Sequence, residues 1–596
     1  KLDNRILVWL IPSFSYWTIN WLTTRARVPS LQRLKFSDKP GWNRLTIIDG
    51  QEVMVNVGRE GEYTSATFPE NIFSISTGCA STGSISALFN SKLPREDLAL
   101  LNQYYSGSVS KVAATAILGA CASPKEPQAF LPRNAEPYES PNTWRTVGPA
   151  LVEMPNMVPQ IRRFETFELT VDYRVTRPMN VVVPSHWYVG LAVEFVELVV
   201  PSIGRGYPLS FEEVASELEK PAQKLALSKV LETLGGVEPR LLISSFVKNE
   251  ATMKPNRIVS AFEDFRWIVE LSQYTIAFRD SQLHNENCEH FFMPGNAPCG
   301  MAQKVVEYCS RVGDLVEGDY SSFDGSVSAW LQDHVVNACY LRHFPPSCHS
   351  KLKTLLRGLV QSKAKSKRDG LWYEPGPGIK SGSPTTCDGN TLLNAFLMYC
   401  AIRGCEKSWS PQACFRQIGL AFGDDSLFEQ KYTTEWLRVV KEVGMDLKVE
   451  AYDASRGITF LARVYPKPFD SVTSFQDPLR TMRKLHLTSR NPTVPLPDAA
   501  MDRASGFLVT DAKTPIISSY CRLVQRHHAP LALDAEARAR RADWAVDRPF
   551  WCGASESWPQ LDEDADDILE VMACRLGTTS TAVWQYHQYL EEMDGR

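Results

Sequence analysis

The sequence lacks several features that would class it at once. None of its 14 cysteines forms a CxxC pair and no secretory signal peptide opens the chain, which favours a reduced, cytosol-facing protein. Charge of neither sign dominates, and a net charge of −4 excludes a basic nucleic-acid coat. No internal repeat is visible. A composition of 44% hydrophobic and 22% charged residues excludes wholesale disorder.

A chain of 596 residues predicts two to four folded units. Eight prolines between residues 124 and 159 interrupt regular structure and indicate an extended connector. After residue 160, helical patterns alternate with short apolar strands, as in a large α/β or α+β unit. Residues 361–380 carry five basic side chains and residues 553–570 carry seven acidic ones, so the balanced total can conceal a local basic channel.

Residues 6–22 hold no charge over 17 positions and are followed by Arg25 and Arg27. The run is at the short limit for crossing a bilayer, and Pro12 interrupts it. It therefore predicts either a segment that lies in the membrane interface or a buried core element.

One grouping suggests a metal, namely His284, Cys288 and His290. Structural zinc sites are almost always built from four ligands, and only three donors lie nearby here. Structural zinc is therefore the minor alternative for this segment.

A pair of acids occurs in DLVEGDYSSFDGS, residues 314–326. Asp319 ends a strand-like stretch and Asp324 follows five residues later, so a straight strand would point the two side chains to opposite faces. They share a site only if the chain turns between them, which Ser321, Ser322 and Gly325 permit. One carboxylate could then bind metal while the other faces a substrate sugar. Taken alone, the spacing is more typical of a surface turn.

A second pair, Asp424 and Asp425, lies in GLAFGDDSLFE, residues 419–429. The flanking apolar residues predict a hairpin whose tip carries the two acids. Adjacent half-buried carboxylates repel each other and need a cation to stay ionised. A pair of divalent ions held between Asp319 and Asp424 would stabilise the attacking and leaving oxygens of a phosphoryl transfer, and Mg²⁺ suits such oxygen ligands. An ordinary Asp–Asp turn is the alternative.

Residues 380–390, KSGSPTTCDGN, predict a glycine-containing loop before a helix. The loop lacks the GK[ST] ending of a P-loop, but its backbone N–H groups could lie near a phosphate or a base. Thr386 and Asn390 lie four apart, hence on one helix face, where they could hydrogen-bond a ribose hydroxyl. Helix capping is the alternative role for the Ser and Thr residues.

A basic segment precedes these motifs at residues 244–262. Its Lys248, Lys254 and Arg257 alternate with small residues and resemble a cation ladder for a triphosphate. A solvated basic face is the alternative for this segment alone.

The four motifs occur in the order basic ladder, D-x4-D, SG-x3-T-x3-N and GDD. This order resembles that of the right-hand RNA-dependent RNA polymerases of positive-strand RNA viruses. The resemblance narrows to the nodavirus replicases through KPGWNRL (39–45), GREGEY (58–63), YEPGPGIKSGSPTT (373–386), QDPLRTMRKLHLTSRNPTVPL (476–496) and SWPQ (557–560). It covers nearly the whole chain, from about residue 7 to about residue 560.

The resemblance implies an α+β fold, a right hand of fingers, palm and thumb with an N-terminal membrane-associated region. The implied organisation is an N-terminal region (1–90) that trails a missing capping domain, a Pro-rich connector (91–160), fingers and palm (161–500), a thumb (501–552) and an acidic helical C-terminal segment (553–596).

The resemblance also implies residue roles. Two Mg²⁺ ions, which Mn²⁺ can replace, would be held by Asp319, Asp424 and Asp425. The nucleotide would be bound by Lys248, Lys254, Arg257, Asp324, Ser381, Gly382, Thr386 and Asn390. Within that set, Asp324 with Asn390 would select the ribose 2′-hydroxyl. Lys448 would protonate the leaving pyrophosphate, with Lys441 as its rival. FLARVY, residues 460–465, resembles a hairpin that grips the primer end, and RNA would be contacted by Arg480, Arg483 and Lys484.

The predicted activity is RNA-directed RNA synthesis that replicates a positive-strand viral genome. The implied partners are viral RNA template and nascent RNA, ribonucleoside triphosphates, membrane lipid and further copies of the chain. The implied place is the cytosolic face of the mitochondrial outer membrane.

Two alternatives remain open from the sequence. A reverse transcriptase or DNA polymerase would use the same metal-binding aspartates. Asp324 and Asn390 argue against this alternative, because a DNA-making enzyme usually places a bulky group where Asp324 would admit the ribose hydroxyl. The second alternative is a catalytically inactive scaffold that binds RNA and membrane, and it has no need of two aspartate sites.

Overall fold

A computed structural model describes residues 32–36, 43–49, 52–59, 62–69, 71–72, 93–106, 145–152, 158–159, 164–218, 220–248, 250–252, 257–367, 371–491, 493–541 and 557–593. Two compact units divide the chain. One comprises residues 1–139, 163–165 and 364–374, and the other comprises residues 140–162, 166–363 and 375–596. Helices and antiparallel strands occur together in the second unit, which confirms the predicted mixture of α and β structure.

The strands are β1 (Gln32–Phe36), β2 (Asn43–Asp49), β3 (Glu52–Arg59), β4 (Glu62–Pro69), β5 (Arg145–Thr146), β6 (Val158–Pro159), β7 (Leu242–Val247), β8 (Ala251–Thr252), β9 (Ile258–Phe262), β10 (Leu315–Tyr320), β11 (Lys363–Ser366), β12 (Trp372–Tyr373), β13 (Leu420–Phe422), β14 (Asp425–Glu429), β15 (Leu447–Ala451), β16 (Ile458–Phe460), β17 (Arg463–Tyr465), β18 (Phe475–Gln476) and β19 (Leu487–Thr488).

The helices are α1 (Arg95–Ser106), α2 (Phe164–Val171), α3 (His186–Val199), α4 (Phe211–Glu217), α5 (Pro221–Ser228), α6 (Phe265–Phe278), α7 (Pro298–Val312), α8 (Phe323–Ser326), α9 (Ala329–Leu331), α10 (Asn337–His343), α11 (Pro346–Gln361), α12 (Thr386–Cys405), α13 (Pro411–Arg416), α14 (Thr433–Glu442), α15 (Pro478–Met482), α16 (Leu496–Asp511), α17 (Ile517–His528), α18 (Ala535–Arg540), α19 (Ala565–Leu576) and α20 (Ser580–Glu592). π-Helical turns at Asp172–Thr176, Arg279–Leu283 and Gln332–Val336 continue α2, α6 and α9.

The first unit contains an antiparallel sheet in the order β1-β2-β3-β4. Helix α1 packs on this sheet because Leu98 and Leu101 lie three residues apart, on one helix face, and meet the buried Val55 and Phe68. The helix lies inside the segment 91–160 that the sequence predicts to be a connector. Its apolar face gives residues 95–106 a core to join.

The second unit is built on an antiparallel sheet in the order β13-β14-β10-β15. On one face, the Trp436 ring packs edge-on against Tyr320 and Phe428. On the other face, Leu315 and Leu427 join a buried core with α7 and with the hairpin of β16 and β17. Asp319, near the end of β10, and Asp424 and Asp425, at the connection of β13 and β14, are exposed to solvent at one edge of this sheet.

Helix α12 runs through the interior of the second unit. Every residue from Asp388 to Ile402 is buried, including polar ones such as Asn390 and Asn394. A helix that is buried on all sides belongs to the core of a large unit. Its polar side chains therefore need partners inside the protein.

The C-terminal helices share one core. Tyr520 of α17, Ile568 and Met572 of α19 and Val583 of α20 are buried in the same hydrophobic cluster. The sequence predicts an acidic helical segment at residues 553–596. In the structure α20 packs against both α17 and α19, and all three helices contribute to the cluster. The reason is amphipathicity: the acids of α19 occupy its solvent side, while its apolar residues face the cluster.

Some expectations fall outside the described residues. These include the apolar segment 6–22, the ladder residue Lys254 and most of the proline-rich stretch 124–159. In the part of the chain that the structure describes, no helix combines the length and apolar character needed to cross a bilayer.

Candidate active site

The predicted acidic hairpin is confirmed. β13 and β14 pair from Leu420↔Leu427 to Phe422↔Asp425, which leaves Gly423 and Asp424 as a two-residue turn. Gly423 has a φ of +61°, and it occupies the first central position, where type II′ hairpin turns use glycine. The turn thus presents Asp424 at its tip and starts β14 with Asp425.

Asp319 lies beside this hairpin. β10 is hydrogen-bonded to β14 with Gly318 opposite Ser426, so Asp319 continues the ladder next to Asp425. Three residues later the chain turns sharply, because Ser322 adopts a left-handed conformation with φ 55° and ψ 50°. This is the turn that the sequence requires if Asp319 and Asp324 are to share a site.

Neighbouring charges at this edge raise the pKa values of Asp424 and Asp425. Partial burial raises the pKa of Asp424, and the neighbouring charge of Asp319 raises it further. Partial burial together with Asp424 and Asp319 raises the pKa of Asp425 to about 7, against an opposing effect of Arg480. All three aspartates remain exposed to solvent. A cation from solvent could reach these carboxylates, and it would stabilise their ionised form because it offsets their mutual repulsion.

A metal site is not preformed. Among the described residues, no three His, Cys, Asp or Glu side chains are gathered closely enough to hold an ion. A cation would have to draw the three aspartates together. The donor set nevertheless suits a hard cation, because all of it is carboxylate oxygen.

The weakly predicted zinc grouping is engaged elsewhere. His284 Nε2 lies 3.0 Å from the Pro294 carbonyl oxygen, and His290 Nε2 lies 2.9 Å from that of Phe415. Cys288 is buried, and the eleven described cysteines are free.

Asp324 and Asn390 form a direct pair. The Asn390 amide donates a hydrogen bond of 2.7 Å to Asp324 Oδ1. Burial raises the pKa of Asp324 to about 6, while this bond opposes the rise and the charge of Asp424 adds to it. The predicted pairing of the second acid with the helix asparagine therefore exists, and it lies close to the acidic hairpin.

The basic ladder faces the acids across Glu250. Arg257 Nε and one terminal nitrogen each donate at 2.9 Å to the two Glu250 oxygens, and Lys248 Nζ lies 3.5 Å from Glu250 Oε2. The pKa of Arg257 is raised chiefly by this bidentate bond and also by Asp424 and Asp324. The structure thus brings Arg257 to the carboxylate site, and Lys248 lies beside Arg257 through their shared partner Glu250.

The glycine-containing loop is attached to β9. Ser381 Oγ donates to the Ile258 carbonyl at 3.0 Å, and the Gly382 N–H donates to the Ser260 carbonyl at 2.9 Å. The Thr386 hydroxyl donates to the Lys380 carbonyl at 2.8 Å. The loop residues therefore connect β9, the strand that follows Arg257, to the start of α12.

The remaining predicted residues lie around the same edge. Lys448 is directly opposite Asp319 in the ladder of β10 and β15, so the two exposed side chains share a face. Lys441 is exposed in the last turn of α14. Arg480 is exposed and acts on Asp425, whereas Arg483 and Lys484 are half-buried.

Two supports of the acidic turn were not predicted. Asn394 of α12 is fully buried; its amide donates to the carbonyls of Gly423 at 3.1 Å and Asp424 at 3.3 Å, and its oxygen accepts the Tyr320 hydroxyl. The Gly423 N–H donates to Thr391 Oγ1 at 2.8 Å. The sequence does contain a clue to both supports. Thr391 and Asn394 are polar residues, one and four positions after Asn390, in a helix that is otherwise mostly apolar.

Comparison with known proteins agrees with this geometry. The family described as viral RNA-dependent RNA polymerase matches residues 280–487, which include every predicted metal ligand. The chain is 44% identical over 595 residues to the RNA-directed RNA polymerase of Nodamura virus (strain Mag115), covering 99% of this chain and 57% of that protein. The chain is a relative of the nodavirus RNA-directed RNA polymerases. The predicted resemblance to the nodavirus replicases is confirmed.

A second curated relative and one solved structure also match the chain. The RNA-directed RNA polymerase of Flock house virus is 37% identical, covering 96% of this chain and 58% of that protein. The chain thus spans little more than half the length of these curated relatives. Among solved structures, the RNA-dependent RNA polymerase of a human picorbirnavirus aligns with a TM-score of 0.47 at 12% identity, covering 71% of this chain and 86% of that one.

Proposed function

We propose that this chain is the polymerase part of a viral RNA replicase and catalyses template-directed transfer of ribonucleotides to a growing RNA strand. The observation that carries the proposal is the edge where Asp319, Asp424 and Asp425 meet the Asp324–Asn390 pair and the cations of the ladder. The names of the relatives support it. In this view the sheet of β10 and β13–β15 is the palm, β7–β9 belong to the fingers and the C-terminal helices form the thumb.

Asp319, Asp424 and Asp425 would hold two Mg²⁺ ions, or Mn²⁺ in their place. When bound, such ions stabilise the attacking and leaving oxygens of a phosphoryl transfer. The exposure of the three carboxylates and the raised pKa values of Asp424 and Asp425 support this role, because a cation would relieve both their repulsion and their partial desolvation.

The other residues would bind the triphosphate, select the ribose and protonate the leaving pyrophosphate. Lys248 and Arg257 would exchange part of their contact with Glu250 for the triphosphate, whose charge they match. Asp324 would accept the ribose 2′-hydroxyl, with Asn390 holding its carboxylate in place. Lys448, on the same face as Asp319, would give a proton to the departing pyrophosphate.

RNA would be gripped through its backbone, since base choice comes from template pairing. Arg480, Arg483 and Lys484 lie on and beside α15, near Asp425, and their charges suit nascent RNA at the active site.

Membrane association and assembly complete the proposal. The uncharged run 6–22, followed by basic residues, supports contact with lipid through the membrane interface. By resemblance to the family, we place the complex on the cytosolic face of the mitochondrial outer membrane, as an oligomer of this chain.

The decisive test is incorporation of labelled ribonucleotides on an RNA template with Mg²⁺. Asp424→Asn should abolish synthesis while circular dichroism and RNA binding stay unchanged. Asp566→Asn, the same substitution at an exposed position of α19, is the matched control and should leave synthesis intact. Undiminished synthesis by Asp424→Asn would refute the assignment. No synthesis by the unaltered chain, with RNA and liposome binding intact, would favour the inactive scaffold.

A further inference from the structure

Lys380 is a buried amine to which the proposed mechanism gives no task. Its side chain is 3% exposed, and Nζ donates to the carbonyl oxygens of Gly376, at 2.8 Å, and of Gly378. Burying an ammonium group costs free energy unless hydrogen bonds and charge compensate it. Two carbonyl acceptors supply part of that compensation, and the lysine in turn closes the loop of residues 376–380.

This loop lies directly against the backbone of Asp324. The Ile379 N–H donates to the Asp324 carbonyl oxygen at 2.7 Å. A Cβ added to Gly378 would lie 2.8 Å from the same oxygen, so the two chain segments leave no room for a side chain there. A second buried side chain also holds the loop, because Gln332 Nε2 donates to the Pro377 carbonyl.

The hydrogen bonds form a closed circuit. The Thr386 hydroxyl donates to the carbonyl of Lys380, and Thr386 begins the helix on which Asn390 lies. Asn390 donates to the carboxylate of Asp324, whose own carbonyl is held by Ile379. Lys380 is the one side chain in this circuit that fixes the loop by charge-assisted bonds.

The charge of Lys380 also acts on the circuit. Burial lowers the pKa of Lys380 to about 7, and the negative charge of Asp324 opposes that fall. By reciprocity a protonated Lys380 favours an ionised Asp324, which is the form that can accept a hydrogen bond from a hydroxyl.

We propose that Lys380 is a positioning residue that aims the Asp324–Asn390 pair and thereby sets the discrimination between ribose and deoxyribose. The inference rests on the proposed function, because it concerns nucleotide selection at the same site. Lys380 does not touch the nucleotide; it acts through the loop that holds Asp324.

The test is equilibrium binding of GTP and dGTP to the full chain. The chain is loaded with an RNA hairpin whose primer end lacks its 3′-hydroxyl, so no chemistry follows binding. Lys380→Met keeps the length of the side chain but removes its donors and charge. We expect the preference for GTP over dGTP to fall at least about tenfold, which corresponds to about 1.4 kcal/mol. Lys353→Met, at an exposed position of α11, is the matched control and should keep the preference.

A double-mutant cycle separates positioning from a general structural effect. If Lys380 acts through Asp324, then Lys380→Met should lower the preference no further in a chain that already carries Asp324→Ala. Hydrogen exchange of the Ile379 amide should quicken in Lys380→Met. If Lys380→Met does not fold, Gln332→Met removes the other donor to the loop and should lower the preference in the same direction.

Three results would overturn the inference. They are an unchanged preference in Lys380→Met, an additive loss in the double variant, and equal binding of GTP and dGTP by the unaltered chain. Incorporation on a primer with its 3′-hydroxyl is measured separately. A chain that prefers GTP through Lys380 but incorporates nothing would refute the proposed polymerase and leave this inference standing.

Discussion

The buried ion pair between Arg463 and Asp511 should contribute strongly to the stability of the fold. Arg463, the first residue of β17, contacts Asp511 at 2.9 Å, and their side chains are 4% and 0% exposed. Arg463 also donates to Ser474 Oγ and to the Ser474 and Thr510 carbonyls. Asp511 accepts from the Gln476 N–H and from the hydroxyls of its neighbours. Asp511→Ala would leave a buried guanidinium without its counter-charge.

The expected cost follows from this burial. Removing one partner of a buried pair destabilises by about 3–5 kcal/mol, a large part of the roughly 5–15 kcal/mol that holds a folded domain together. Replacing both partners, Arg463→Met with Asp511→Leu, should cost less than either single change, because no unpaired charge remains. Glu536→Ala breaks the pair with Arg540, whose side chains are 87% and 71% exposed, and should cost less than about 0.5 kcal/mol.

These differences can be measured by urea unfolding monitored by tryptophan fluorescence. If the dependence of the unfolding free energy on urea stays the same, a shift of the transition midpoint reports the change in stability. Asp511→Ala should unfold at much lower urea than the unaltered chain, and Glu536→Ala at the same urea. A loss below about 1 kcal/mol for Asp511→Ala would refute the reasoning, as would a double variant less stable than both single ones.

Three further predictions concern the turn of the β16–β17 hairpin, a buried acid and the support of the acidic turn. Leu461 and Ala462 have φ of 54° and 58°, so Ala462→Gly should raise stability by about 1 kcal/mol, and an unchanged urea midpoint would contradict this. Burial raises the pKa of Asp388 to about 7, so the native chain keeps a proton that the unfolded chain releases near pH 4, and stability falls as pH rises towards 7. The stability of Asp388→Asn relative to the unaltered chain should therefore increase by up to about 4 kcal/mol as the pH rises from about 4 to about 7, measured through the melting temperatures of both chains. A difference in stability that does not change with pH would contradict this prediction. Asn394→Leu removes the donor to the Gly423 and Asp424 carbonyls and should slow incorporation about 10- to 100-fold in a folded chain, whereas full activity would show that the turn holds itself.

Local chemistry made the acidic hairpin predictable. Apolar residues around Gly423-Asp424-Asp425 fix two strands and a tight turn wherever they occur, because alternation and glycine act over a few residues. The residues between Asp319 and Asp324 permitted a turn without requiring one, and the order of the motifs indicated the family. The mixture of helices and strands after residue 160 also follows from local periodicity.

Tertiary structure decided which partners these residues meet. The contacts of Asn394 with the acidic turn and of the Ile379 N–H with the Asp324 carbonyl join residues that lie far apart in the chain, and nothing in the local sequence predicts these pairings. The C-terminal helices joined one core for the same reason, since an apolar helix face specifies burial but not the surface that covers it. By itself the sequence determined the turns, the strands and the kinds of side chain at the site; only packing decided which buried polar groups satisfy one another, because each needs a partner and many residues along the chain can supply it.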